Sequence, residues 1–401
     1  MTLFRLVFKS LHQHALSTVV TSLSIALATA LWITVWVTKD QAQSTFTSVT
    51  AGFDAVLGAR GSALQLVLNA VFHLESSPGN LPFSDVTDLR KDPRVKVAVP
   101  IAVGDNFKGY RLVGTTPEFF EQAQGVGGRV FRVSLGGRLF NALRREAIVG
   151  SFVAQRLGLR VGDSFHPYHG LLFNENDVHA ETYVVVGILD PSNTPADRVI
   201  WIPLAGIQLM SGHDGKSAED VSAVLVKLNS AIAGHQMEQM YNKQGNRLTF
   251  AWPIGRIVAQ LFDKVAWFEK VLALVAYLVA LVAAGSVLAS IYNSMSERRR
   301  EIAILRALGA GRGTIFSVVV LEAMMITLIG VIVGEAFYVV LMQGVSGIVR
   351  AQTGVLLNPF EAAPVMLWAP AVMLLLGGFA GIVPAVKGYR TDVASNLSPS
   401  S

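Results

Sequence analysis

The side chains with the clearest capacity for chemistry crowd into one short stretch. His166, His169 and His179 share residues 161–182 with Glu175, Asp177 and Glu181. Imidazole and carboxylate at that density bind zinc when they converge. On a polar surface loop they do not converge, and that reading, with no metal, is favoured over a site at His166, His169 and His179. Gly215-Lys216-Ser217 ends like a phosphate loop. That motif requires a glycine five residues before its second one, and position 210 is Met210. A strand-like run also follows where a helix should begin. The sequence is therefore expected to carry no ATPase and no catalytic residue of its own; neither HExxH nor GxSxG occurs in it. The absence of cysteine excludes disulfides, thiolate zinc sites and iron–sulfur clusters. Glu322 and Glu335 interrupt an apolar stretch, where charge is costly and functional by default. Their spacing places them on different helix faces, and no string of carboxylates accompanies them. A polar contact between packed helices is favoured over an ion path.

Composition shows what kind of elements must position these residues. Of 401 residues, 52% are hydrophobic and only 15% charged, with a mean hydropathy of +0.47. A soluble domain carries about 25% charged residues. An ordinary soluble enzyme and a disordered chain are both excluded; a membrane protein with a large wet part remains. Residues 15–37, 271–296 and 362–386 contain no charge, and residues 313–349 contain only Glu322 and Glu335. About 20 apolar residues cross a bilayer as a helix. Four transmembrane helices are predicted, at 15–37, 265–295, 314–345 and 364–386. Arg5, Lys9 and the Ala26-Leu27-Ala28 triplet resemble a signal peptide, but the apolar run continues through Trp32, Val35 and Val37, which predicts an uncleaved anchor.

Orientation follows from basic residues in short loops. Residues 1–14 carry Arg5 and Lys9; residues 296–313 carry Arg298, Arg299, Arg300, Arg306 and Arg312; the tail 387–401 carries Lys387 and Arg390. The loop 346–363 carries Arg350 as its only cation. Both termini and the 296–313 loop are therefore expected in the cytoplasm, with 38–264 and 346–363 on the other side. Residues 38–270 hold 23 basic and 22 acidic side chains. The net charge of +5 is thus a topology signal, and nucleic acid is not expected as a partner, while membrane lipids are. The outer segment reads as mixed α/β, with helices near 63–74 and 151–159 and strands near 95–103, 110–113, 147–150, 183–189, 198–202 and 221–228. Residues 161–182 read as a loop. Helical periodicity resumes at Ile254 and runs into the second span, predicting a stalk. The fold class is an α-helical membrane protein of four spans, with a large mixed α/β extracytoplasmic domain inserted between the first and second.

Small residues mark close helix packing. Ala276, Ala280 and Ala284 recur in the second span, Gly330 and Gly334 form GxxxG in the third, and Gly377, Gly378 and Gly381 sit in the fourth. A compact bundle or a dimer seam would use them equally. Residues 296–313 (SERRREIAILRALGAGRG) combine helix formers, a stop at Gly309 and a partial apolar stripe at Ile302, Leu305 and Leu308 among many charges. A solvated connector has no use for that stripe; a helix seated in a groove on a cytoplasmic partner does.

Those same residues carry a resemblance. A span ending in Asn293-Ser294, the run from Glu297 to Ala310, and Leu321-Glu322-Ala323 in the next span resemble the FtsX-like permease family, the transmembrane subunits of MacB- and Lol-type ABC transporters. The order of an N-terminal amphipathic helix over 1–14, one span, a large outer domain and three spans is similar too, as is Pro384-Ala385 before a basic turn. The resemblance implies a permease of the bacterial inner membrane. A cytoplasmic ABC ATPase dimer, holding ATP and Mg, would contact Arg300, Glu301, Ile302, Leu305, Arg306 and Leu308. Its motion would pass through the stalk to the outer domain, to export or release a lipoprotein, lipid or peptide. A second permease chain and a periplasmic protein or lipoprotein are the further partners implied, and no cofactor on this chain. The alternatives are an ATP-driven regulator of a periplasmic protein and an accessory permease in zinc handling.

Overall fold

The computed structural model describes residues 3–48, 50, 52–122, 124–125, 128–129, 131–211, 219–297 and 299–389. Gly215-Lys216-Ser217, Arg298 and Arg390 lie outside them. The chain divides into two units, one of Met1–Gln41, Ala266–Ser346 and Leu357–Ser401, the other of Ala42–Val265 with Gly347–Leu356.

The first unit is helical. Helices Ala15–Ser48, Ile254–Glu297, Arg312–Thr353 and Val365–Tyr389 each contain a stretch long and apolar enough to cross a membrane. Two short amphipathic helices, Leu3–Gln13 and Arg299–Ala307, accompany them. Three of the long helices outrun the apolar windows because polar helix formers continue them; the second, with 44 residues, measures about 66 Å at 1.5 Å per residue. Small residues decide how the spans pack. A Cβ on Gly330 would lie 2.6 Å from Ile25 Cβ, and one on Gly334 would lie 2.8 Å from Ala26 O. A Cβ on Gly377 would collide with Thr327, and one on Gly381 would lie 2.5 Å from Ala323 Cβ. Ala323, Thr327, Gly330 and Gly334 thus share one stripe of the third span, which meets the fourth span at Ala323 and Thr327 and the first at Gly330 and Gly334. Trp32 meets Tyr277 and Trp368 edge-on at 5.3 and 5.4 Å. Lys39 pairs with Glu269 at 2.8 Å, and Gln41 exchanges two hydrogen bonds with the Asn358 main chain at 2.7 and 2.9 Å.

The second unit is built on a ten-stranded mixed sheet. Its strands are β1 (Ala55–Ala59), β2 (Val95–Phe107), β3 (Tyr110–Thr115), β4 (Glu146–Val149), β5 (Ser164–Phe165), β6 (Tyr168–His169), β7 (Tyr183–Ile188), β8 (Ile200–Pro203), β9 (Ala223–Leu228) and β10 (Leu248–Ala251). The order is β10-β1-β9-β2-β3-β8-β4-β7-β5, and β6 pairs with β2. β3 runs parallel to β8 and β4 parallel to β7; the other pairs are antiparallel. Both faces are covered, so successive residues of one strand enter different cores: Leu57, Ala98, Ile200 and Val224 one, Val56, Val99, Trp201 and Leu225 the other. This is why the strands read as near-continuous apolar runs instead of clean alternations. Residues 161–182, expected to be a loop throughout, contain β5 and β6.

Three of the long helices have an end built into this second unit. Phe46, near the end of the first, packs on Phe72 and Phe262 at 5.5 and 6.3 Å. Ile254, Ile257 and Val258, opening the second, belong to one of the two cores. In the last turn of the third, Gln352 O accepts from Arg198 Nη1 at 2.7 Å, and just beyond it Leu356 exchanges hydrogen bonds with the Asn193 side chain at 3.1 and 2.5 Å. Residues 347–356, expected as part of a plain connecting loop, are thus part of the outer unit's packing.

Candidate functional site

The helix Arg299–Ala307 is closed by Gly309, whose φ of +98° is readily available to glycine. The side chains of Arg299, Arg300, Glu301 and Leu305 lie outside the described residues. Ile302, expected on an outward stripe with Leu305 and Leu308, is buried at 7% exposure beside Ala303. Among the described side chains the exposed large apolar ones are Ile304 at 44% and Leu308 at 80%, four residues apart and so on one face. The stripe advances one way round the helix in the sequence reading and the other way in the structure, because Ile302 and Ala303 turn inward and carry Ile304 out. Arg306 is half-buried and engaged in interactions of its own.

The packing residues fall in the seams with one exception. Ala276 and Ala280 are buried, but Ala284 is only half-buried, and Ala283, Val287 and Ile291 continue the inward face. A step of four residues overshoots one helical turn by about 40°, so the seam passes to Ala283. Glu322 is buried and accepts a hydrogen bond from the Ser10 hydroxyl of the first short helix. Glu335 faces outward, beside the exposed Ile332 and Val333.

In the outer unit two of the three histidines converge after all, on a carboxylate from outside their segment. His179 Nε2 lies 3.2 Å and His169 Nδ1 3.5 Å from Asp105 Oδ1. Strand pairing sets this up. Asp105 of β2 stands directly opposite His169 of β6. His169 N donates to Asp177 O at 2.7 Å and His179 N to Pro167 O at 2.8 Å, which pins the return of the hairpin. Asn106 Nδ2 donates to Gly170 O at 2.8 Å. The other expected ligands are elsewhere: His166 and Glu175 are exposed, Asp177 accepts from Asn174 at 2.5 Å, and Glu181 accepts twice from Ser211 at 3.0 Å. Asp105 lies outside the 161–182 segment, in a Gly104-Asp105-Asn106 triplet of turn formers; its one signal in the sequence is an acid just beyond the apolar strand predicted over 95–103.

A cavity of about 160 Å³ opens nearby in sequence but on different residues, among them His73, Tyr110, Arg111 and Arg198. Burial lowers the pKa of both guanidinium groups. Arg111 donates to Glu75 O at 2.6 Å and Leu74 O at 3.0 Å. With Arg198 Nη1 donating to Gln352 O, both arginines serve main-chain carbonyls. Burial first, and Arg111 second, push the His73 pKa down to about 3.

Helices of membrane length, small-residue seams and an inserted α/β unit define a membrane protein with a large outer domain. Residues 18–240 match the MacB-like periplasmic core domain and residues 273–393 the FtsX-like permease C-terminal domain. The chain belongs to this family of FtsX-like permeases with a MacB-like periplasmic core. It is 23% identical to the lipoprotein-releasing system transmembrane protein LolC of Haemophilus influenzae, over 85% of this chain and 87% of that one. It is 22% identical to the macrolide export ATP-binding/permease protein MacB of Shewanella sp. (strain ANA-3), over 80% of this chain and 47% of that one. The chain therefore spans about half the length of the MacB relative. The crystal structure of the periplasmic region of MacB from Actinobacillus actinomycetemcomitans aligns over 54% of this chain and 94% of its own, with 12% identity and a TM-score of 0.36.

Proposed function

We propose that the chain is the permease subunit of an ABC transporter whose ATP and Mg are held by a separate cytoplasmic ATPase pair. A second copy of the permease completes the assembly, in the bacterial inner membrane with both termini cytoplasmic. Nucleotide-driven motion enters at residues 299–308 and is carried to the outer domain to export or release a lipoprotein, lipid or peptide. The observation that carries this reading is the way three long helices are anchored at one end in the packed outer unit, through Phe46, through Ile254, Ile257 and Val258, and through Gln352 and Leu356. A helix fixed into a core transmits displacement where a flexible linker absorbs it. The exposed Ile304 and Leu308 give a partner groove its apolar contact.

Two measurements test it. Glu301→Lys and Leu308→Asp should leave the permease inserted but release the ATPase during co-purification: breaking one side of a buried interfacial charge pair costs roughly 2–5 kcal/mol, and an aspartate at 308 puts an unpaired charge into the apolar contact. Retention of the ATPase by both variants would remove these residues from the interface. A spin label at Leu143, exposed in the outer unit, should report a changed distance between the two permease copies when ATP is added. An unchanged distance distribution overturns transmission of motion.

A further inference from the structure

We propose that Asp105, His169 and His179 form a zinc site in the outer unit. The proposal stands on geometry and does not depend on the permease reading. One ligand atom from each of these side chains lies within 4.8 Å of the other two. A tetrahedral zinc ion with bonds of about 2.0–2.1 Å to nitrogen and oxygen has ligand–ligand edges of roughly 3.3–3.4 Å. The distances from Asp105 Oδ1 to His179 Nε2 and His169 Nδ1, 3.2 and 3.5 Å, are such edges. As hydrogen bonds they suit the site less well. Both rings address the same oxygen, and the longer distance exceeds the usual 2.7–3.2 Å range of an N–H···O bond. The rings meet edge to face with centroids 5.3 Å apart, so they do not stack, and one nitrogen of each lies near Asp105 Oδ1.

Burial argues the same way. The Asp105 side chain is 0% exposed and that of His179 5%, while that of His169 is 53% exposed. Gly170 N also donates to Asp105 Oδ1, at 3.4 Å, and a dication between the three groups would add the positive charge that favours a carboxylate at this depth. The half-exposed imidazole leaves an approach from solvent, and the described residues supply three of the four ligands of a tetrahedral site. The platform is rigid, because Asp105 and His169 are opposed in the β2–β6 ladder and His179 is tied back by its main chain to Pro167. Two imidazoles and one carboxylate suit zinc. The nitrogen-rich set is unsuited to calcium or magnesium, and a chain without cysteine offers no thiolate to copper(I).

The full-length permease, carrying an affinity tag without histidine, would be purified in detergent and stripped with chelator. Zinc would then be titrated against a chromophoric competitor. The wild type should take one zinc per chain, and zinc should raise its thermal midpoint by mass action. His169→Ala removes a half-exposed ring and should keep the metal-free midpoint while weakening zinc at least about tenfold. Asp105→Asn should weaken it similarly, and His166→Ala should bind as the wild type does. Cobalt(II) in the wild-type site should give tetrahedral visible bands that His169→Ala lacks. A wild type that takes up no zinc, or a His169→Ala protein that binds it with undiminished affinity, overturns the proposal.

Discussion

His73 sits at a φ of +54°, buried and edge-on to Trp201 at 5.3 Å. Its folded pKa of about 3 lies below the ordinary 6.5. Between those values the unfolded chain binds the proton and the folded chain does not, so stability is greatest above pH 6.5 and declines as pH falls toward 3. A single group of this kind contributes a slope of at most about 1.4 kcal/mol per pH unit. Asparagine tolerates positive φ and does not titrate. His73→Asn should therefore flatten the fall in thermal midpoint between pH 7 and pH 5; an unchanged fall would assign the acid sensitivity to other groups. His73 also marks a limit of reading residues alone. Helical spacing was legible over 63–74, yet the helix ends at Ala70 and the chain turns through His73 onto Trp201, a contact set by the sheet 128 positions away. Asp105 was missed for the same reason. Beyond Val103 the local signal is a turn, and pairing with Tyr110 and Arg111 on one side and with Tyr168 and His169 on the other holds the strand to Phe107.

At the scale of elements, the long helices were legible because apolar length is a local property, and β7 because Tyr183–Ile188 is a continuous apolar run. Which small residues form seams was less so. GxxxG serves a bundle and a dimer equally well on paper; in the fold Gly330 and Gly334 receive the first span at Ile25, Ala26 and Thr29. A side chain there meets main chain, which cannot rotate aside. Gly334→Val should thus destabilise the helical unit by about 1–3 kcal/mol, as overpacking does. Gly344→Ala, where nothing lies within 4 Å, should be nearly neutral. Unfolding of the two variants in mixed micelles would compare them directly, and equal stabilities would show that the first and third spans do not pack through these glycines. The short helix Arg299–Ala307 shows the opposite limit. Its existence was legible from its helix formers and from Gly309, but its orientation was not, since nine residues allow more than one apolar stripe and burial of Ile302 and Ala303 selects one.

For the whole molecule the question is which side of the membrane each part occupies. The large unit Ala42–Val265 enters and leaves through two long helices, so both of their outer ends must lie on one side. Basic residues are concentrated in the other connections: Arg299, Arg300, Arg306 and Arg312 flank the second and third spans, while the 346–363 loop has only Arg350. Positive charge in short loops is retained in the cytoplasm. The helix Arg299–Ala307 is therefore expected inside and the sheet outside, which is also the only arrangement in which the proposed cytoplasmic ATPase reaches residues 299–308. The chain contains no cysteine, so single substitutions report cleanly. Ser84 is exposed in the outer unit and Ser296 is exposed at the end of the second long helix. With a membrane-impermeant thiol reagent on intact spheroplasts, Ser84→Cys should label and Ser296→Cys should label only after the membrane is permeabilised. Labelling of Ser296→Cys in intact cells would invert the orientation. Residues 299–308 would then face away from any cytoplasmic ATPase, and the three anchored helices would have no nucleotide-driven motion to carry.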